Sequence, residues 1–266
     1  MSDERLGASA EFEVLKINDS GSQALWLSVA TEVPCTIVVN GREAVTTMLT
    51  PTFLEEFAVG HLFSAGVVHG ASEITSYRCD EAKWRLDVET ARAVDWELLG
   101  KRVYTSGCGK GVMYASVIEL SARHPLAAGP RVRVAALAAN MKWLLSSSTL
   151  FQTTHGVHSA ALSIAGELPD LLIDDIGRHN AVDKIIGHAL LRGLDLSKSI
   201  LLSTGRTSSE ILHKAKRAGI AVILARGAPT HQTILLAREM GVTVATYRRS
   251  GGITVYSHRD RVVTEA

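Results

Sequence analysis

From residue 157 onward, short apolar runs alternate with helix-length amphipathic segments, and this alternation restricts the fold more than any other feature. Val157 to Ile164 and Leu171 to Asp174 read as strands, His179 to Leu191 as a helix, and Ile200 to Ser203 as a strand. Ser208 to Ala218 is then a helix, Ile220 to Ala225 a strand, Thr230 to Met240 a helix, and Val242 to Tyr247 and Ile253 to Tyr256 the last strands. Gly193, Gly219 and Gly241 stand where these helices must stop. Such a chain predicts an α/β sandwich with mostly parallel core strands.

The first half is built differently. Val33 to Val39 and Glu43 to Leu49 flank Asn40-Gly41, a strong hairpin signal because both turn positions accept positive φ. A helix follows, with Thr50-Pro51 as N-cap and N1, or Thr52 and Glu55 as a capping box, and with Gly66 at its end. Ser76 to Glu89 reads as strands around a turn near Asp80-Glu81, and Met113 to Arg123 as a helix. Pro125 to Pro130 is the best linker, which divides the chain into 1–125 and 126–266. Val134 to Ser147 is an amphipathic helix with Leu137, Met141, Leu144 and Leu145 on one face.

Hydrophobic residues make up 46% of the chain and charged ones 21%, so it is globular, and a net charge of +1 gives no general drive toward nucleic acid or anionic membrane. No apolar run is long enough to span a bilayer, and the first residues lack an apolar signal core. The three cysteines, Cys35, Cys79 and Cys108, are odd in number and far apart. That suits a reducing compartment, and the expectation is a soluble cytoplasmic protein.

Cys108 lies in Ser106-Gly107-Cys108-Gly109-Lys110-Gly111, with Lys101 and Arg102 upstream. Glycines let the loop bend and expose the thiol, and nearby cations favour the thiolate, the form that attacks sulfur. A buried structural cysteine is the competing reading.

Several strand-to-helix crossings carry polar residues. Ile200 to Glu210 places Thr204, Thr207, Ser208 and Ser209 at a helix N-terminus beside Arg206, a setting that attracts anions, or a plain Ser/Thr cap. It contains neither a P-loop nor a dinucleotide fingerprint. In Asp174-Asp175-Ile176-Gly177-Arg178-His179, an aspartate could cap the helix, meet a ribose hydroxyl or pair with Arg178, and His179 could donate to a phosphate. A capped, ion-paired helix start explains the run equally simply. His155 and His158 are half of a metal site that no further cluster completes, so no metal is expected. Tyr247-Arg248-Arg249-Ser250-Gly251-Gly252 offers an aromatic and two guanidiniums to a purine and its phosphates, or a hairpin turn with solvated arginines. In a parallel sheet, Arg178, Arg206 and Arg226 would share one rim, which suits a ligand with several phosphates.

Taken together these segments resemble the FdhD/NarQ family, the formate dehydrogenase accessory sulfurtransferases. The resemblance runs through Thr31 to Glu43, Leu54 to Gly60, the Cys108 loop and Gly156 to Ala161. It continues through Asp175-Ile176-Gly177-Arg178-His179-Asn180-Ala181-Val182-Asp183-Lys184, Ser203 to Arg206, Gly227 to Thr230 and Arg249 to Tyr256. It implies a sulfur carrier that receives sulfur from a cysteine desulfurase as a persulfide on Cys108. The acceptor it implies is the molybdenum or tungsten bis-pterin guanine dinucleotide cofactor of a formate dehydrogenase. Residues 247–252 match the region that would bind the guanine dinucleotide portion, with Arg206 on the same rim. It also implies a homodimer, a small roll-like N-terminal α/β domain, and a three-layer C-terminal α/β domain similar to cytidine deaminases. Two departures stand out. Many members carry C-x-x-C in the loop, whereas Gly111 occupies the second position here. The H-x-E and P-C-x-x-C motifs of zinc deaminases are missing, which argues against deaminase chemistry. A cofactor-binding chaperone without sulfur chemistry is the alternative from another class, and a zinc hydrolase a remote third.

Overall fold

A computed structural model describes residues 6–96, 102–104, 112–114, 124–126, 129–248 and 252–264. Strands β1 (Ser9–Asn18) and β2 (Gly21–Ala30) form a two-stranded antiparallel ribbon that the sequence reading left unassigned. Strands β3 (Val33–Val39) and β4 (Arg42–Leu49) make the predicted hairpin, with φ of 49° at Asn40 and 77° at Gly41. With β5 (Ile74–Asp80) and β6 (Arg85–Thr90) they build a four-stranded sheet in the order β4-β3-β6-β5.

Helix α1 (Leu54–Ser64) packs on this sheet through Phe57 and Leu62. Neither predicted cap starts it: Phe53 precedes the helix at φ 53° and no side chain caps it. Thr50 is taken by tertiary partners instead, as described below. Gly66, at φ 83°, follows the last turn as predicted. Strands β7 (Arg102–Tyr104) and β8 (Val112–Tyr114) pair antiparallel on either side of the Cys108 segment. Met113 and Tyr114 are therefore in a strand and not at a helix start, because this β-prone run pairs with 102–104. The remainder of the predicted helix, 115–123, lies outside the described residues.

Strand β9 (Val132–Arg133) leads into α2 (Val134–Ser147) and the short α3 (Thr149–Thr154). There follow β10 (His158–Ile164), β11 (Leu172–Asp175), α4 (Arg178–Leu191), β12 (Ser199–Arg206) and α5 (Ser209–Arg217). Strand β13 (Val222–Gly227), α6 (His231–Met240), β14 (Thr243–Arg248), β15 (Gly252–Val255) and β16 (Val262–Val263) complete the chain, with β16 beside β9. Six strands form one sheet in the order β11-β10-β12-β13-β14-β15. Only β12, β13 and β14 pair in parallel, joined by α5 and α6, so the sheet is more mixed than expected. Seven residues separate β10 from β11 and three separate β14 from β15. Connections that short hold no crossover helix and impose antiparallel pairing.

The sheet is covered on both faces. Ile200, Leu202, Val222 and Leu224 point toward Leu137, Met141 and Leu144 of α2. The alternate residues Leu201, Ile223 and Val244 point into a larger core with Val182 and Ile186 of α4. That core runs on without a break to Phe57, Ile37 and Leu86 under the four-stranded sheet. Helices α1 and α4 cross with their backbones in contact: a Cβ on Gly60 would lie 1.8 Å from the Asp183 carbonyl oxygen, and one on Gly187 1.9 Å from that of Glu56. Among the described residues, no helix is long and apolar enough to cross a membrane.

Candidate functional site

The strand directions gather functional residues on one rim of the six-stranded sheet. Strands β11, β12, β13 and β14 end there, and β10 and β15 begin there. The register sets His158 opposite Asp175, Arg206 opposite Gly227 and Arg248 opposite Gly252. Arg206, Arg226 and Arg248 are exposed on this rim. Arg178 belongs to the same edge but folds inward, with its Cβ and Cδ each 2.8 Å from where a Cβ on Gly205 would stand. Only glycine at 205 leaves room for that path.

Beside the arginines, between the start of β10 and α2–α3, opens a cavity of about 240 Å³. Leu144, Leu145, Phe151, Val157 and Ile176 supply its apolar surface, and His158, Thr204 and Arg226 its polar one. Thr204 Oγ1 accepts from the Ser159 amide at 2.9 Å and lies 3.3 Å from His158 Nδ1. Burial, helped by the Arg178 charge, pushes the His158 imidazole below its ordinary value, so it is neutral at pH 7. At the cavity's edge Asp174 accepts from Ser159 Oγ at 2.5 Å and Ser148 Oγ at 2.8 Å. Burial raises its carboxyl, against the pull of those hydroxyls. An apolar slot with few polar groups and the exposed Arg226 on its wall can hold a flat heterocycle and leave an attached phosphate beside that guanidinium.

The polar run 174–184 turns out to hold the molecule together. Asp175 and Lys184 are both fully buried, 2.6 Å apart. Asp175 Oδ2 accepts from the Thr50 amide at 3.1 Å, and Oδ1 accepts from the Gly177 amide at 2.7 Å and Asn180 Nδ2 at 3.0 Å. Lys184 Nζ also donates to the Thr50 carbonyl at 2.8 Å, and Thr50 Oγ1 accepts from the Ile176 amide at 3.2 Å. Asp175 therefore cannot reach a ribose hydroxyl.

Asp183 makes a second clasp. Lys214 Nζ donates to it at 2.6 Å, Ser64 Oγ donates at 2.7 Å, and His61 Nδ1 stands 3.2 Å away. Burial opposes its charge, but Lys214 and His61 outweigh burial and hold the carboxyl below the usual range. His179 Nε2 lies 3.1 Å from Ser208 Oγ and 3.5 Å from Glu210 Oε2. Burial drives its imidazole down to about 4, so at neutral pH it is an uncharged anchor and not a cationic phosphate donor.

Of the predicted hydroxyl cluster, Ser208 caps α5 by accepting from the Ile211 amide, Thr204 turns toward Ser159, and Thr207 is buried. The positive charge of the rim thus comes from its exposed arginines. Tyr247, read as a stacking ring, is 7% exposed and packs in the core under α2, because alternation along β14 turns it to that face. Cys108, Arg249, Ser250 and Gly251 lie outside the described residues. The sequence reading missed α3 and with it the role of Phe151. The available signal was Ser148, whose hydroxyl accepts from the Phe151 amide as an N-cap. Among the described residues no three His, Cys, Asp or Glu side chains gather as a metal site.

Comparison with known proteins agrees over nearly the whole length. The chain is 36% identical over 236 residues to the sulfur carrier protein FdhD of Bacillus subtilis, covering 88% of this chain and 90% of that one. It is 36% identical over 241 residues to the protein of the same name from Staphylococcus haemolyticus, covering 88% and 89%. A crystal structure described as that of a formate dehydrogenase accessory protein from Desulfotalea psychrophila superposes with a TM-score of 0.80 at 29% identity. The match covers 96% of this chain and all of that one. The sequence profile of the FdhD/NarQ family matches residues 30–263, and the chain belongs to that family.

Proposed function

We propose that this chain is a sulfur carrier in formate dehydrogenase maturation, passing persulfide sulfur from a cysteine desulfurase to a molybdenum or tungsten bis-pterin guanine dinucleotide cofactor. The observation that carries the binding half of this reading is the cavity lined by Arg226, on a rim that also carries the exposed Arg206 and Arg248. Its apolar surface suits a guanine, and the guanidiniums suit the pyrophosphates of such a substrate. Arg249, Ser250, Gly251 and Gly252 belong to the same proposed site by sequence. The sulfur half rests on Cys108 and on the names of the relatives.

In the loading step the Cys108 thiolate attacks the outer sulfur of the desulfurase persulfide. The sulfur–sulfur bond of that persulfide breaks, the desulfurase thiolate leaves, and Cys108 carries the sulfur. The carried sulfur is at oxidation state zero. Its delivery as a sulfido ligand therefore takes two electrons from a thiol-class reductant. Cys35 and Cys79 are poor relay thiols: burial, with Cys79 beside it, pushes Cys35 up to about 12, and burial raises Cys79 as well. The carrier works as a homodimer in the cytoplasm, whose reducing poise keeps all three cysteines as thiols.

The test is to incubate the reduced protein with a cysteine desulfurase and cysteine, then measure intact mass and map the adduct. One added sulfur atom on Cys108, lost in Cys108→Ala, is the expected result. If Cys108→Ala still matures formate dehydrogenase while Arg248→Glu does not, the protein is a cofactor-binding chaperone instead.

A further inference from the structure

The polar wall of the cavity between β10 and α2–α3 is a series of hydrogen bonds with a fixed direction. As a carboxylate, Asp174 only accepts, and Ser148 Oγ and Ser159 Oγ spend their protons on it at 2.8 and 2.5 Å. Ser148 Oγ also accepts from the Phe151 amide, so that hydroxyl is used in both senses. Thr204 Oγ1 accepts from the Ser159 amide at 2.9 Å, and His158 Nδ1 lies 3.3 Å from it. Burial and the Arg178 charge keep the His158 ring neutral, so one ring nitrogen carries a proton and the other does not.

Thr204 decides which. With the proton on Nδ1, Thr204 Oγ1 would receive two donors, and its own proton would meet no acceptor among the described residues. With the proton on Nε2, Thr204 donates to Nδ1 and every group in the series is paired. His158 lines the cavity, and its Nε2 makes no hydrogen bond among the described residues. Among those residues no carboxylate or carboxamide side chain lines the cavity, so the unspent polar groups of its wall are the donors of His158 and Arg226 and the ring of His155.

We propose that His158 selects the base of the bound nucleotide by donating its Nε2 proton to the 6-oxo oxygen of a purine, and that the cavity leaves the 2-amino group unread. The proposal rests on the cofactor-binding reading above and names how that site chooses its nucleotide. A 6-oxopurine places an acceptor where Nε2 offers its proton. A 6-aminopurine places a donor there, and two donors would face each other in an apolar slot. The 2-amino group of guanine calls for an acceptor that no lining side chain supplies, so guanine and hypoxanthine are equivalent to this wall.

Calorimetry with GDP, IDP and ADP at pH 7.5 tests this without any sulfur chemistry. GDP and IDP should bind the wild type within about threefold of each other, and ADP at least about tenfold more weakly. His158→Leu should bring GDP and ADP to within about threefold of each other. Thr204→Val keeps the side-chain shape but removes the hydroxyl that sets the ring, and should lower the GDP preference by about threefold or more. A general loss of cavity shape would weaken both nucleotides alike and leave their ratio unchanged. ADP binding as tightly as GDP, IDP binding as weakly as ADP, or a folded His158→Leu or Thr204→Val with the wild-type ratio would each overturn the assignment. If neither variant folds, the three wild-type affinities decide. Failure of all three nucleotides to bind would overturn the cavity reading and the assignment with it, whereas binding without base preference overturns the assignment alone. Persulfide loading of Cys108 is read separately by mass and stands in either case.

Discussion

Replacing Lys184 by methionine should cost about 4 kcal/mol at pH 7, and the cost should shrink as the pH falls. Lys184 and Asp175 are fully buried and 2.6 Å apart, so removing the ammonium strands a carboxylate where water does not reach. Breaking a buried pair from one side typically costs about 3–5 kcal/mol. The carboxylate has one escape, which is to take up a proton. Against an ordinary carboxyl at 3.9 that costs about 1.4 kcal/mol per pH unit, or about 4 kcal/mol at pH 7 and about 1.5 kcal/mol at pH 5. The two routes give the same size at neutral pH, and the second caps the loss in acid. Converting the carboxylate as well, in Asp175→Asn with Lys184→Met, should recover most of the stability. The surviving amide oxygen can still accept from Gly177 or Thr50. Urea unfolding of the wild type and both variants at pH 7 and pH 5, with unchanged m-values, measures all four quantities. A Lys184→Met deficit under about 1 kcal/mol, or one equal at both pH values, would refute the argument.

Three further outcomes are expected. Gly187→Ala gains helix propensity but drives a Cβ into the Glu56 carbonyl, so urea unfolding should show a net loss of about 3 kcal/mol or more. Burial holds His213, like His179, at about 4 against 6.5, so the unfolded chain takes the proton first and stability falls as pH drops from 6.5 toward 4. Each histidine should account for about 2 kcal/mol between pH 7.5 and pH 5. The His213 ring nitrogens have no hydrogen-bond partner among the described residues, so His213→Leu should be no less stable at pH 7.5 and should lose about half of that pH dependence in thermal melts. Arg226→Ala should weaken GDP binding about tenfold in calorimetry, while Tyr247→Phe, altering a ring packed in the core, should leave it unchanged.

Much of this fold could be read from the chain because local and tertiary preferences agree there. The hairpin at Asn40-Gly41 and helix α2 fall where pattern alone puts them. Failures occur where a distant partner overrides a local signal. Thr50 looks like a cap and instead binds Asp175 and Ile176, more than a hundred positions away. The ribbon escaped notice because its apolar residues lie on both faces and no single alternation marks it. The arginines beside Tyr247 suggest a ligand, whereas position along β14 decides which face the ring occupies.

The most distinctive string of the chain, 175–184, divides between two tasks. Asp175, Asp183 and Lys184 turn inward and clasp α1 and the end of β4 to the six-stranded sheet. Arg178 and His179 stand between them in sequence, in the first turn of the helix, and pack against the strand end and helix start that build the rim, Arg178 on Gly205 and His179 on Ser208. The helix separates the tasks along its axis, since about 1.5 Å of rise per residue puts Asp183 and Lys184 about 7.5 Å beyond Arg178 and His179. Asp175 adds a direct link, since the oxygen that holds the Gly177 amide fixes the turn from which Arg178 reaches Gly205. Loosening the clasp therefore shifts the rim as well. Polar residues of that string that make no contact with the rim thus still set where the rim residues stand.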